Sequence, residues 1–218
     1  MPGGQIDAYK KVAHILESIA AKDTDNAPCC AYIGPEGAGH FIKMVHNGIE
    51  YVEMQLLAEM YGLLSKAMNN EDMANLFESW NQGGLGSYLL EITVTILRKK
   101  EGDAYLLDQI LDKAGNKGTG SWSSKAAFDL GVPNTMMAGS VFSRYISSFH
   151  AERVKMSSLL GTKAQAGLDL EMDTLKNAYR FARLINHQQG FQLMQKASEE
   201  YGWNLEFSTI ARIWSNGC

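Results

Sequence analysis

The chain has 218 residues, 45% of them hydrophobic, enough for a full-sized core built as one domain or as one domain plus a fragment. Its formal net charge of −4 argues against generic nucleic-acid binding, which needs a basic surface to displace counterions from phosphates. An anionic small molecule stays open, because a few cations focused in a cleft outweigh a mild global charge.

The first twenty residues lack the compact apolar region and cleavage site of a signal peptide, and no apolar run reaches the ~18 residues expected of a membrane span. The cysteines are Cys29, Cys30 and Cys218, an odd number with one adjacent pair, which suits reduced thiols and a cytoplasmic chain. No Cys or His spacing matches a metal site: His40 and His46 are six apart and would point to different sides of a helix. The sequence therefore predicts no metal, no membrane and no nucleic acid.

Helical periodicity runs almost from end to end. Residues 5–22 read as a first amphipathic helix, and "CCAYIG" (29–34) as the only strand. The glycines of "GPEGAG" follow it, then a long helix from about Gly37 to Met68. A helix over 71–81 has Asn69 or Asn70 as its cap and acidic residues in its first turn. Residues 87–100 read as helix, although "ITVTIL" also alternates like a strand. "AYLLDQIL" (104–111) is a short helix, "DKAGNKGTGSW" a glycine-rich loop, and "SSKAAFDLG" a helix again. "VP" at 132–133 turns the chain into a long helix over 135–160, followed by another over 168–202 and a short one over 207–214. The predicted fold is all-α, a long-helix bundle with one helix–strand scrap at its amino end, and a lone strand needs partners for its backbone groups.

"GPEGAG" sits where a dinucleotide loop would, but its order is G-x-x-G-x-G and only helix follows it, so a tight strand-to-helix turn is the simpler reading. "GNKGTGS" (115–121) nears the phosphate-loop pattern but has Ser121 where the lysine belongs. It is either a plain surface loop or one that wraps a phosphate with backbone N–H groups, Lys117 and Thr119. On the helix from 37, Lys43, Asn47 and Glu50 fall within about 60° of one another, with His46 on their flank. Phe41, Val45, Ile49, Val52 and Leu56 gather on the opposite side. A solvated face is the plain explanation, but Asn47 and Gly48 are poor helix formers at the centre of a long helix. Arg144 has apolar neighbours, so it either snorkels or forks onto a phosphate.

"GAGHFIKMVHNGIEYVEMQLLAEMYGLL", "AGNKGTGSW", "GVPNTMMAGSVFSRYISSFHAERV" and "QGFQLMQKASEEYGWNL" resemble, in that order, segments of the 6-phosphogluconate dehydrogenase family, and the match runs through nearly all of the chain. The resemblance implies a homodimeric, cytoplasmic oxidoreductase of the pentose phosphate pathway and gluconate utilisation. It would use NADP to convert 6-phosphogluconate to ribulose 5-phosphate and carbon dioxide.

By position in the motif, Lys43 resembles the general base and Glu50 the acid that protonates the enediol. His46 and Asn47 match sugar-binding positions, and Tyr51, Lys117 and Arg144 match positions that hold the phosphate, with Thr119 adding a hydroxyl. A lysine serving as base must release its proton near neutral pH, and His46 one turn away is expected to supply cationic pressure together with the arginine. Ser121 departs from the family's usual "GTGKW".

Residues 1–36 then read as the remnant of a dinucleotide-binding domain, and 37–218 as the helical substrate-binding and dimerisation domain. Met1 reads as an internal position serving as a start, or as an engineered one, and the polypeptide alone as a poor catalyst of hydride transfer. The alternative is a non-catalytic dimerisation or sugar-phosphate-binding domain.

Overall fold

Residues 1–161 and 171–216 are described by a computed structural model. Among them are nine α-helices: α1 (Ile6–Ile19), α2 (Ala38–Leu64), α3 (Asn70–Gln82), α4 (Tyr88–Arg98), α5 (Thr119–Asp129), α6 (Thr135–Ser148), α7 (His150–Leu160), α8 (Met172–Tyr201) and α9 (Phe207–Ile213). The strands are β1 (Lys100–Glu101) and β2 (Ala104–Tyr105), an antiparallel hairpin turned at Gly102, whose φ is +62°. The fold is all-α, as expected. Cys218 and residues 168–170 of the expected long helix lie outside the described residues.

Two compact units can be distinguished. The first takes Met1–Ile49, Gly118–Thr135 and His187–Cys218, the second Glu50–Lys117 and Met136–Asn186. In the first unit, Ile42, Val45 and Ile49 of α2 are buried, as are Leu193, Met194 and Ala197 of α8 and Ile210 and Ile213 of α9. Gly190 of α8 lets the two backbones approach: a Cβ there would lie 2.5 Å from Ile49 Cδ1 and 3.6 Å from Val45 Cγ1. Ser123 of α5 donates its hydroxyl to the Met44 carbonyl at 2.9 Å, tying α5 to α2.

The second unit is built on Val52, Leu56, Met60 and Leu64 of α2, Phe77 and Trp80 of α3, Leu90, Val94 and Leu97 of α4, and Tyr179 of α8, all buried. Trp80 stacks on Tyr179 at 5.8 Å. Asn69 caps α3 by accepting from the Asp72 N–H at 2.9 Å, and Ser87 caps α4 by accepting from Leu90 at 3.2 Å. The "ITVTIL" stretch is helix because its buried residues recur at 90, 94 and 97, while Thr93 bonds back to the Leu89 carbonyl at 2.7 Å.

Three expectations are corrected. Residues 29–34 form no strand: the Ile33 N–H bonds to the Pro2 carbonyl at 2.9 Å and the Gly34 carbonyl accepts from Gly4 at 3.0 Å. The few residues at 1–4 and 21 that meet this extended segment offer too short a ladder, and only an isolated bridge, Lys22 with Pro28, forms nearby. The helix expected over 135–160 is two, broken at Phe149 with φ −86° and ψ +51°. There Ser147 and Ser148 bond back to the Arg144 and Tyr145 carbonyls, both at 2.7 Å, and the Ser147 carbonyl turns out to Arg153 at 3.0 Å. Residues 104–109 are β2 and a 3₁₀ turn rather than helix.

Candidate functional site

α2 carries five of the singled-out residues. In the first unit Lys43 is exposed, His46 buried and Asn47 half-buried. The apolar back at Val45 and Ile49 keeps the helix continuous through Asn47 and Gly48. The Lys43 ammonium nitrogen is 3.1 Å from His46 Nδ1, and Asn47 Oδ1 lies 3.4 Å from the same ring atom. Trp214, just past α9, meets the imidazole edge-on at 5.0 Å and is itself packed against Phe191 of α8.

Burial, and after it the Lys43 charge, push His46 down to about 4. At neutral pH the ring is therefore uncharged, so His46 does not exert the cationic pressure on Lys43 expected from the sequence. The signal for this was outside α2, in the aromatic residues around α9.

A cleft of about 540 Å³ opens beside this group. His40, Lys43 and Asn47 are its polar α2 residues, Thr119 and Trp122 enter from α5, and Phe41 and Trp203 add aromatic wall. Gly118, with φ +97°, turns the chain into α5. Ser121 turns its hydroxyl onto the Gly118 carbonyl at 2.7 Å. Trp122 is 61% exposed, and nothing in sequence spacing marked it. "GPEGAG" is a tight turn into α2, closed by the Ala38 N–H on the Pro35 carbonyl at 3.1 Å, although no strand leads into it.

The second unit holds a separate cluster. Tyr51 is buried, and its hydroxyl accepts from the Lys117 backbone N–H at 3.1 Å. The Arg144 guanidinium lies flat over the Tyr51 ring, 3.7 Å from its centre, and donates through Nη1 to the Gly115 carbonyl. Its Nη2 rests 3.6 Å from Met54 Sδ, a weak acceptor. Burial draws the Arg144 pKa down, and the neighbouring Tyr51 acts against that; guanidinium remains charged at any physiological pH.

The loop before α5 is braced further: Asn116 Nδ2 donates to the Tyr145 hydroxyl at 3.0 Å, and the Ala114 N–H to Ser147 Oγ at 2.9 Å. Lys117 itself is exposed. Glu50 is half-buried on α2, and a rise of 1.5 Å per residue puts it about 10 Å along the axis from Lys43.

Sequence reasoning missed the ion pair of this unit, whose carboxylate is buried. Glu53 meets Arg183 Nε at 3.0 Å and Asn186 Nδ2 at 3.3 Å. The spacing of Arg183 and Asn186, three apart on one helix, was its legible trace. Among the described residues, no group of three or more His, Cys, Asp or Glu side chains could hold a metal ion, and no helix is long and apolar enough to cross a membrane.

Residues 39–218 match the family model described as 6-phosphogluconate dehydrogenase, C-terminal domain. The whole chain aligns with the decarboxylating 6-phosphogluconate dehydrogenase of Lactococcus lactis subsp. cremoris, at 51% identity and over 48% of that protein's length. The corresponding Salmonella typhimurium protein is also 51% identical, with 48% of its length covered. Among solved structures, 6-phosphogluconate dehydrogenase of Plasmodium falciparum superposes over all of the chain and 48% of its own, with a TM-score of 0.94 and 40% identity. That enzyme has been solved in its apo form, with its cofactor NADP+ and with its substrate 6-phosphogluconate. The chain thus spans about half the length of the relatives it matches.

Proposed function

The chain belongs to the family of the 6-phosphogluconate dehydrogenase C-terminal domain, and we propose that it supplies the acid–base and phosphate-holding residues of an enzyme that converts 6-phosphogluconate to ribulose 5-phosphate and carbon dioxide with NADP. The observation that carries this reading is the contact of Lys43 with a buried, neutral imidazole at the edge of a cleft. Lys43 as an amine takes the proton of the carbon-3 hydroxyl while that carbon is oxidised. As an ammonium it then hydrogen-bonds the carbon-3 carbonyl oxygen, which draws electrons from the bond to the carboxyl carbon and releases carbon dioxide. Glu50 protonates carbon 1 of the resulting pentulose enediol.

Through all of this a neutral His46 can keep its contact. Its Nδ1 accepts from the ammonium in one tautomer and donates to the amine in the other. Asn47 orients the sugar hydroxyls, and Tyr51, Lys117 and Arg144 hold the phosphate, the arginine through its planar fork.

The described residues do not fit a dinucleotide. Glu36, exposed in the glycine turn with φ +50°, would set a carboxylate against a pyrophosphate, and the described sheet is a two-residue hairpin. The oxidant therefore belongs to another part of the longer enzyme. In support of residues 1–36 as a remnant of that part, α1 buries none of its residues and leaves Val12, Ile15 and Ile19 exposed.

The enzyme is cytoplasmic and acts in the pentose phosphate pathway as a homodimer. The exposed Phe142, Ile146, Phe149, Leu160, Phe181 and Leu184 of the second unit support self-association, and a monomer by light scattering at high concentration would argue against it.

Calorimetric titration of the 218-residue chain with 6-phosphogluconate tests the site. Arg144→Ala should weaken binding about tenfold or more, the weight of a forked ion pair, while Lys43→Met should change it less. Absence of binding, or binding indifferent to Arg144, would overturn the reading.

A further inference from the structure

Resting on that assignment of the phosphate cluster, we infer that Asn116 is a positioning residue for phosphate recognition, one that aims Arg144 by fixing the loop that also carries Lys117. The inference starts from how Arg144 is held. Its face lies on Tyr51 and its Nη1 is fixed on the Gly115 carbonyl. Among the described residues, the remaining amino group meets the thioether of Met54 at 3.6 Å. A phosphate oxygen replaces that weak acceptor with a charge-assisted bond at little loss. Arg144 is thus aimed by the loop carbonyl it grips, and the aim is as good as the loop is fixed.

Asn116 follows Gly115 directly, and its carboxamide spans two tyrosines. The amide nitrogen donates to the Tyr145 hydroxyl at 3.0 Å, and the amide oxygen lies 3.5 Å from the Tyr51 hydroxyl, at the limit of a hydrogen bond. Tyr145 is the neighbour of Arg144 on α6, and Tyr51 is the group on which Arg144 lies and to which the Lys117 N–H donates. One side chain therefore connects the helix that carries the cation, the ring beneath that cation and the loop that orients it. Asn116 is exposed on a surface loop, as the residues on either side of it are, so its bonds stabilise a local geometry rather than the core.

The test compares 6-phosphogluconate, by calorimetry, with gluconate, by NMR titration, on the full 218-residue chain. Asn116→Ala should weaken the phosphorylated acid about tenfold, in the range of one hydrogen bond to a charged group, and leave gluconate unchanged. Tyr145→Phe should reproduce the loss, and the double variant should add little to either because both remove the same brace. If Arg144→Ala abolishes the preference for the phosphorylated acid but Asn116→Ala and Tyr145→Phe leave it intact, or weaken both ligands alike, the inference is wrong and the phosphate cluster stands. If the wild-type chain shows no preference for the phosphorylated acid, the phosphate cluster itself is wrong and the inference goes with it.

Discussion

Gly190→Ala measures how tightly α8 presses on the helix that bears Lys43. The added Cβ would lie 2.5 Å from Ile49 Cδ1 and 2.8 Å from Ile49 Cγ1, closer than real carbon atoms approach. Ile49 is 5% exposed and Val45 fully buried, so neither has open space to move into. Overpacking a filled core costs roughly 1–3 kcal/mol, and the better helix propensity of alanine returns about 1 kcal/mol at most. The net destabilisation should be about 1–2 kcal/mol, which for a chain of this size lowers Tm by roughly 2–8 °C. Differential scanning calorimetry with urea denaturation would give both numbers. Ile49→Val removes the nearest atom, so the double variant should recover much of the loss even though Ile→Val alone costs ~1 kcal/mol. A Tm that rises in Gly190→Ala would refute the close approach, leaving only the propensity gain.

Two further outcomes follow from buried polar groups. His46 sits at about 4 in the folded chain against an ordinary 6.5, so the unfolded chain takes up its proton first as pH falls. Its contribution is fully present above 6.5 and disappears towards 4, about 3 kcal/mol in all; His46→Gln should flatten the urea-midpoint profile across that window, and an unchanged slope would contradict a buried neutral ring. Glu53→Ala leaves the half-buried Arg183 without its carboxylate and should cost about 1.5–3 kcal/mol, the range of a hydrogen bond to a charged group, whereas a loss below ~1 kcal/mol in the same denaturation assay would mean that the pair is solvated.

The helices were legible because each one needs a buried stripe, and the stripes at 45, 49, 52 and 56 and at 90, 94 and 97 are buried as their spacing requires. The errors fall where something besides periodicity decides. In "SRYISSF" the apolar pattern continues, but two serine hydroxyls bond to carbonyls three residues back and the helix breaks. "CCAYIG" has strand composition, but a strand exists only if another edge is there to pair with it. Pattern reports what a segment prefers; pairing and side-chain bonds to the backbone depend on what it meets.

The mixed polar face of α2 shows the same division at the level of chemistry. Its residue types and spacing were readable, but not which of them would be charged. His46 is only three residues from Lys43, and on a solvated face two such neighbours would share cationic character. What makes the ring neutral is burial, to which Trp214, 168 positions away in the chain, contributes with Phe191 of α8 behind it, and after burial the Lys43 charge. Tyr51, by contrast, is buried, its hydroxyl occupied by a loop N–H and its ring by an arginine. Two residues of one helix, His46 and Tyr51, thus receive their surroundings from α8, α9, α6 and the loop before α5. A helix excised from those elements would keep the lysine, histidine, asparagine, glutamate and tyrosine in register, yet lose the neutral imidazole and the aimed guanidinium on which the proposed chemistry depends.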